Sequence, residues 1–316
     1  MSAGNDAWVL PLGAAAADGC DVVVDDRVEG WAHTGLKVVT LGEGGQHTLE
    51  AEGWELVVVP LSGGSVGVVS TSAAGEKSEA TLVGRPSVFA SSTDVAYVPA
   101  GSTLELSAAG QTGDETVRVA VCAARTKTAA ATERPFVHLP AANVPVEMRG
   151  AGICSREVRN FGIPGVLEAE SIIACEVLTP AGNWSSYPPH KHDEHRPGEE
   201  TVLEEIYYFE TQVEGEAAGT ATRGDKDPIG YQRVYGTDER PIDVLAEVRT
   251  GDVVLVPHGW HGPAMAAPGY DLYYLNVMAG PGEERSWLIC DDPSHGWVRE
   301  TWGDQPLDPR LPFGGK

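Results

Sequence analysis

Basic residues are scarce in this sequence: 22 Lys and Arg stand against 46 Asp and Glu, a formal net charge of −24. So acidic a chain repels phosphate backbones and anionic headgroups, which argues against nucleic acid or a membrane surface as partner. An anionic small molecule would need a local cluster of Arg or Lys to overcome that field. Cysteine is also sparse. Cys20, Cys122, Cys154, Cys175 and Cys290 are odd in number, scattered and without a C-x-x-C pair, so they read as reduced core thiols. No apolar run reaches the roughly 18 residues of a membrane-spanning helix, and the opening residues lack the basic start and apolar stretch of a secretory signal. A soluble, cytoplasmic protein is the expectation.

Turn formers and short apolar runs are what the chain has in quantity. Its 316 residues include 38 glycines and are 42% hydrophobic, enough for two domains of similar size. Runs rich in Val, Ile, Leu and Tyr, closed by Gly, Pro, Asn or Ser, begin at Trp54, Asp94, Glu115, Glu204, Gly251 and Tyr270. That pattern belongs to an all-β sandwich or barrel. Two of the runs repeat. Asp94-Val95-Ala96-Tyr97-Val98-Pro99-Ala100-Gly101 matches Asp252-Val253-Val254-Leu255-Val256-Pro257-His258-Gly259 at five of eight positions, half a chain away. Glu55-Leu56-Val57-Val58-Val59 pairs with Glu205-Ile206-Tyr207-Tyr208-Phe209 at nearly the same offset. In the same order, they imply two copies of one β-unit. The Ala- and Thr-rich stretch 125–135 is the natural boundary, giving an N-terminal domain 1–133 and a C-terminal domain 134–316; residues 306–316 read as an extended tail.

In the second copy, His190 and His192 stand at i and i+2, which on an extended strand turns both imidazoles to one face. Glu205 heads an aromatic strand whose alternation puts Glu205, Tyr207 and Phe209 on one side and Glu204, Ile206 and Tyr208 on the other. His258 and His261 follow the Pro257 turn. The repeat aligns His258 with Ala100, inside the turn, which favours His261 as the third imidazole. Three His and one Glu, with room for water or substrate, suit one divalent ion: Zn²⁺ or Mn²⁺ first, Fe²⁺ or Ni²⁺ as further options. The first copy has Thr103 where the repeat places His261 and only His47 ahead of Glu55, so it is expected to be a metal-free structural barrel.

This arrangement resembles the cupin superfamily, whose first motif is His-x-His followed by Glu and whose second is Gly, a strand, a Pro-x-Gly turn and His. Here Glu205 lies thirteen residues beyond His192 instead of three or four, which a polar loop inserted over 193–202 would explain. His261 follows Gly259 after one residue rather than two. The resemblance implies two cupin (jelly-roll) β-barrels in one chain, a bicupin. Longer stretches are similar to the 5-deoxy-glucuronate isomerase family: those beginning at Cys154, Trp184, Glu205, Gln232, Pro257, Tyr274 and Asp292. That family is related to the 5-keto-4-deoxyuronate isomerases. It implies interconversion of 5-deoxy-D-glucuronate and 5-dehydro-2-deoxy-D-gluconate in myo-inositol catabolism.

The residue types suit that chemistry. Aldose-to-ketose conversion passes through an enediol, and a divalent cation with open positions can polarise the carbonyl. A general base is also needed, and His258, Tyr207 and Tyr235 are candidates. For the substrate carboxylate the resemblance points to Arg156, Arg159 and Arg233. Trp184, Trp260, Trp287 and Trp297 read as packing or rim residues, and His295 as a turn residue or a domain contact. Cupins commonly pair, so a homo-oligomer is expected. An Fe-dependent cupin dioxygenase and a non-catalytic sugar-acid-binding cupin are the competing readings.

Overall fold

The computed structural model describes residues 3–110, 113, 115–128, 133–216 and 226–314. Its first half folds into two antiparallel sheets. One has six strands, in the order Val137–Leu139, Val95–Val98, Trp54–Ser62, Val117–Arg125, Thr34–Leu41 and Val22–Val24. The other has four: Gln46–Glu50, Thr103–Ala109, Ser65–Thr71 and Lys77–Leu82. The second half repeats the plan with larger sheets. Val146–Arg149, Arg156–Gly162, Ile173–Thr179, Tyr270–Ala279, Glu204–Val213, Val253–Val256 and Val9–Leu10 form one. Ala3–Gly4, Ile242–Val248, Gly230–Tyr235, Trp260–Ala266, His190–Lys191 and Cys290–Asp291 form the other, with Trp184–Ser185 also on Trp260–Ala266. The all-β, two-barrel expectation from the sequence is met.

Alternation along the strands sorts the apolar residues into three cores. Val58, Leu104 and Val119 fill the first barrel; Phe209, Val244 and Tyr274 fill the second. Val57, Cys122, Ile206 and Tyr208 lie between the barrels, where the two larger sheets pack face to face. Strands in that packing are buried on both sides, which is why Trp54–Ser62 and Glu204–Val213 read as nearly unbroken apolar runs. Segments cross over between the halves: Ala3–Gly4 and Val9–Leu10, from the start of the chain, add strands to the second barrel, and Val137–Leu139, from its middle, adds one to the first. In the tail, Leu311 is buried and Phe313 packs on Phe89. Residues 129–132 of the expected boundary and 315–316 of the tail lie outside the described residues. All five cysteines are free, and no helix of the described residues is long and apolar enough to cross a membrane.

The internal repeat is real, with a register one residue from that expected. Leu56 pairs with Val98 as Glu205 pairs with Val256, so Leu56 is the counterpart of Glu205, and Glu55 that of Glu204. One residue of shift changes the face. Glu55 and Glu204 therefore both point into the interface between barrels, and each clasps the other half. Glu55 accepts from the amides of Glu170, Ser171 and Ile172 at 2.6–2.9 Å and from the Tyr97 hydroxyl at 2.7 Å. Glu204 accepts from the amides of Ala32, His33 and Thr34 at 2.5–3.2 Å. Truncating Glu55 strands buried donors that nothing else can satisfy. Urea denaturation of Glu55→Ala is expected to show a loss of about 3 kcal/mol or more; a loss below about 1 kcal/mol would show the clasp to be incidental.

Candidate metal centre and pocket

The second barrel gathers its histidines from one pair of adjacent strands, with His192 just past the end of the first. His190 and His261 sit directly opposite one another on adjacent antiparallel strands, their rings 4.5 Å apart at the centroids. His192 follows two residues on, its ring 4.6 Å from His261. Glu205 enters from the facing sheet. The inserted loop 193–202 does not disturb this, because its ends are tied together: the Leu203 amide donates to His192 O at 2.8 Å, and His192 Nδ1 meets Leu203 O at 3.0 Å. Within the loop, buried Glu200 gathers Lys191, Arg196 and the Asp193 amide. Asp193 in turn accepts from the Gly259 amide at 2.9 Å, joining the loop to the turn before His261. Gly259 has φ +90° and abuts Tyr235 O, where a Cβ would come within 2.7 Å, so a side chain there would distort the turn.

Hydrogen bonding fixes which nitrogen of each ring faces inward. Nδ1 of His190, His192 and His261 lies 3.0–3.2 Å from the carbonyls of Pro188, Leu203 and Gly259 respectively. A carbonyl only accepts, so each Nδ1 carries a proton and each Nε2 is left with a lone pair. Nε2 of His192 and of His261 converge on Oε2 of Glu205 at 3.0 and 3.1 Å, and the three ligand atoms lie within 4.8 Å of one another. His261 Nε2 has no hydrogen-bond partner among the described residues. Electron-rich atoms converging in a buried space call for a cation at their centre, and the donor set fits a divalent metal. Burial and the neighbouring imidazoles push His190 well below its ordinary value. His190 stands outside the close three-atom group and lines the adjoining cavity.

That cavity, of about 230 Å³, is lined by Glu205, His190, Tyr207, Ser186, Tyr274 and Asn276. Arg149, Arg156, Arg299, Trp287 and Ile289 also line it. The alternation expected for the Glu205 strand holds: Tyr207 and Phe209 face the barrel interior, Ile206 and Tyr208 the interface. Of the three base candidates only Tyr207 reaches the cavity. Burial and the Glu205 charge push its phenol well above 10, and its hydroxyl pairs with Ser186 Oγ at 3.0 Å, so it is a proton donor in the resting protein. Tyr235 donates instead to Asp292 at 2.5 Å, and His258 remains half-buried in its turn.

The arginines also separate. Arg159 is buried against Glu157 at 2.7 Å and the carbonyls of Val88 and Ser91, at the junction with the first barrel. Arg233 pairs with Asp243 and the Val244 carbonyl. Both depart from the expectation for substrate binding: each guanidinium is engaged elsewhere, and neither residue lines the cavity. Arg156 does line it. Arg149 and Arg299, which the motifs did not single out, join it there, but Arg149 is paired with Glu147 and Arg299 with Asp291. Arg156 makes no ion pair among the described residues. Its Nη1 donates to Cys154 O at 3.0 Å, its plane lies over Trp302, and burial without a carboxylate lowers it to about 10. Of the four tryptophans read as packing or rim residues, Trp287 lines the cavity, while Trp184 and Trp297 are exposed.

The family model described as KduI/IolB matches residues 9–298. The chain is similar to a curated 5-deoxy-glucuronate isomerase of Geobacillus kaustophilus, 38% identical over 93% of this chain and 95% of that one. Among solved structures it is similar to an IolB-like protein from Salmonella typhimurium, at TM-score 0.74 and 30% identity over 92% of this chain and 98% of that one. An oxalate decarboxylase from Lactobacillus farciminis, 12% identical, covers 90% of this chain and 88% of its own at TM-score 0.60, a likeness of cupin fold alone.

Proposed function

Because the chain belongs to the KduI/IolB family, we propose that it is a metal-dependent aldose-ketose isomerase converting 5-deoxy-D-glucuronate to 5-dehydro-2-deoxy-D-gluconate in myo-inositol catabolism. The observation that carries this reading is the convergence of two bare imidazole nitrogens on one carboxylate beside a cavity with a single unpaired arginine. His192, Glu205 and His261 would hold the ion, with His190 completing the set, and Zn²⁺ or Mn²⁺ suits these donors first. The bound ion supplies Lewis acidity toward the carbonyl and hydroxyl oxygens of the substrate.

The chain's own groups do the rest. Arg156 takes the carboxylate in its guanidinium fork and so fixes the far end of the molecule. A general base takes the proton from C2, whose electron pair forms a C1–C2 double bond while the carbonyl pair moves onto O1. A proton then arrives at C1, O2 loses its proton to become the ketone oxygen, and O1 ends as a hydroxyl. Tyr207, protonated and hydrogen-bonded to Ser186, is placed to give and recover a proton at the oxygens.

Incubation of the metal-loaded protein with 5-deoxy-glucuronate under nitrogen, in D₂O, tests the reading. An isomerase yields the ketose with solvent deuterium at C1. An oxygenase stops without O₂, and a sugar-acid-binding protein yields no product; either result would sink the assignment. The working state is taken as a cytoplasmic homo-oligomer acting on a small sugar acid, with light scattering after size-exclusion chromatography as its check.

A further inference from the structure

Two buried donors on the cavity lining have no hydrogen-bond partner among the described residues, Nε1 of Trp287 and the amide nitrogen of Asn276, and the reaction above uses neither. Asn276 is 3% exposed, lines the same wall as Glu205 and Tyr207, and its amide nitrogen has no hydrogen-bond partner among the described residues. A buried amide donor without a partner costs free energy, and native proteins leave few such groups unless a ligand or water completes them. The neighbouring Tyr207 hydroxyl already has Ser186 as partner. Asn276 is therefore the open donor on this wall.

Its place in the sheet indicates what it meets. Asn276 pairs with Tyr207 on one side and Cys175 on the other, with Glu205 paired one step along at Met278. In strand order, Tyr270–Ala279 lies between the strand that carries Glu205 and the strands that carry Arg156 and Arg149. An extended sugar acid with its carbonyl end near Glu205 and its carboxylate at Arg156 thus passes Asn276 at mid-length. Those two ends are common to any 2-hydroxy aldehyde acid of this length. The hydroxyls between them are not.

We propose that Asn276 is a specificity-determining residue that donates from its amide nitrogen to a mid-chain hydroxyl, at C3 or C4, and so selects polyhydroxy acids over acids with a reduced chain. A site built to hydrogen-bond a hydroxyl rejects the analogue that lacks it, because its own polar group is then left unpaired. The assignment rests on the isomerase reading of the same site.

The experiment compares 5-deoxy-glucuronate with its analogue lacking the C3 and C4 hydroxyls, which keeps the aldehyde, the C2 hydroxyl and the carboxylate. The wild type is expected to favour the full substrate by about 10-fold or more in kcat/KM. Asn276→Ala should lose about 10-fold on the full substrate and stay within about twofold of wild type on the analogue, with metal content and melting unchanged. Asn276→Ser serves as the second variant if the alanine protein does not fold, with the same pattern expected. Equal losses on both substrates would overturn the assignment and leave the isomerase reading intact. No turnover of the full substrate by metal-loaded wild type would overturn both.

Discussion

Glu205→Gln is expected to lose the metal and to lower turnover of 5-deoxy-glucuronate by about 10³-fold or more, while melting like metal-free wild type. The substitution is isosteric; it removes the charge and turns one acceptor oxygen into a donor. Glu205 is 2% exposed and supplies the one carboxylate of the cluster. With the anion gone, a divalent ion faces a neutral donor set, and the buried amide offers an N–H where a lone pair is required. His261→Ala should behave similarly, because its Nε2 has no alternative partner among the described residues. Elemental analysis, kcat/KM and a thermal melt on one preparation separate metal loss from unfolding. Normal turnover by a verified metal-free preparation would end the metal-dependent reading.

The candidate metal cluster was legible in sequence because its signals are local. The i, i+2 spacing of His190 and His192, the strand face of Glu205 and the turn before His261 each follow from backbone geometry over a few residues. The repeat was legible too, but its register was not. A strand buried on both faces has apolar residues at every position, so the alignment of Glu55 with Glu205 fits the letters as well as the true one with Glu204. Only pairing across the sheet distinguishes them. The cavity wall was harder still. Arg156, Arg159 and Arg233 look alike in a motif, and what divides them is whether a distant carboxylate or carbonyl has already claimed the guanidinium. Val88 and Ser91, which occupy Arg159, come from the first barrel, about 70 positions away in the chain. Asn276 carried even less signal, since its unpaired amide exists only as a relation to the strands beside it.

Arg156→Met should reduce kcat/KM on 5-deoxy-glucuronate by about 10²-fold or more without destabilising the protein. The expectation follows from what Arg156 lacks. A buried guanidinium with no counter-ion is an expense of the free protein, and replacing it by an apolar chain of similar length removes that expense. The space is made for this side chain in particular. Gly150, at φ +77°, lies so close that a Cβ there would come within 2.6 Å of Arg156 Nη1, and the guanidinium lies over the Trp302 ring. Such a group persists when binding needs it, and activity is then held at the cost of stability. Arg149 and Arg299 cannot substitute, because Glu147 and Asp291 already neutralise them. The discriminating measurement pairs the acid with the analogue in which a hydroxymethyl group replaces the carboxylate. The variant should lose its rate on the acid, keep wild-type rates on the alcohol, and melt at or above the wild-type temperature. Equal losses on the two substrates would assign Arg156 to the shape of the cavity instead of to the carboxylate. A lowered melting temperature would mean that the guanidinium is held by the fold and not reserved for a ligand.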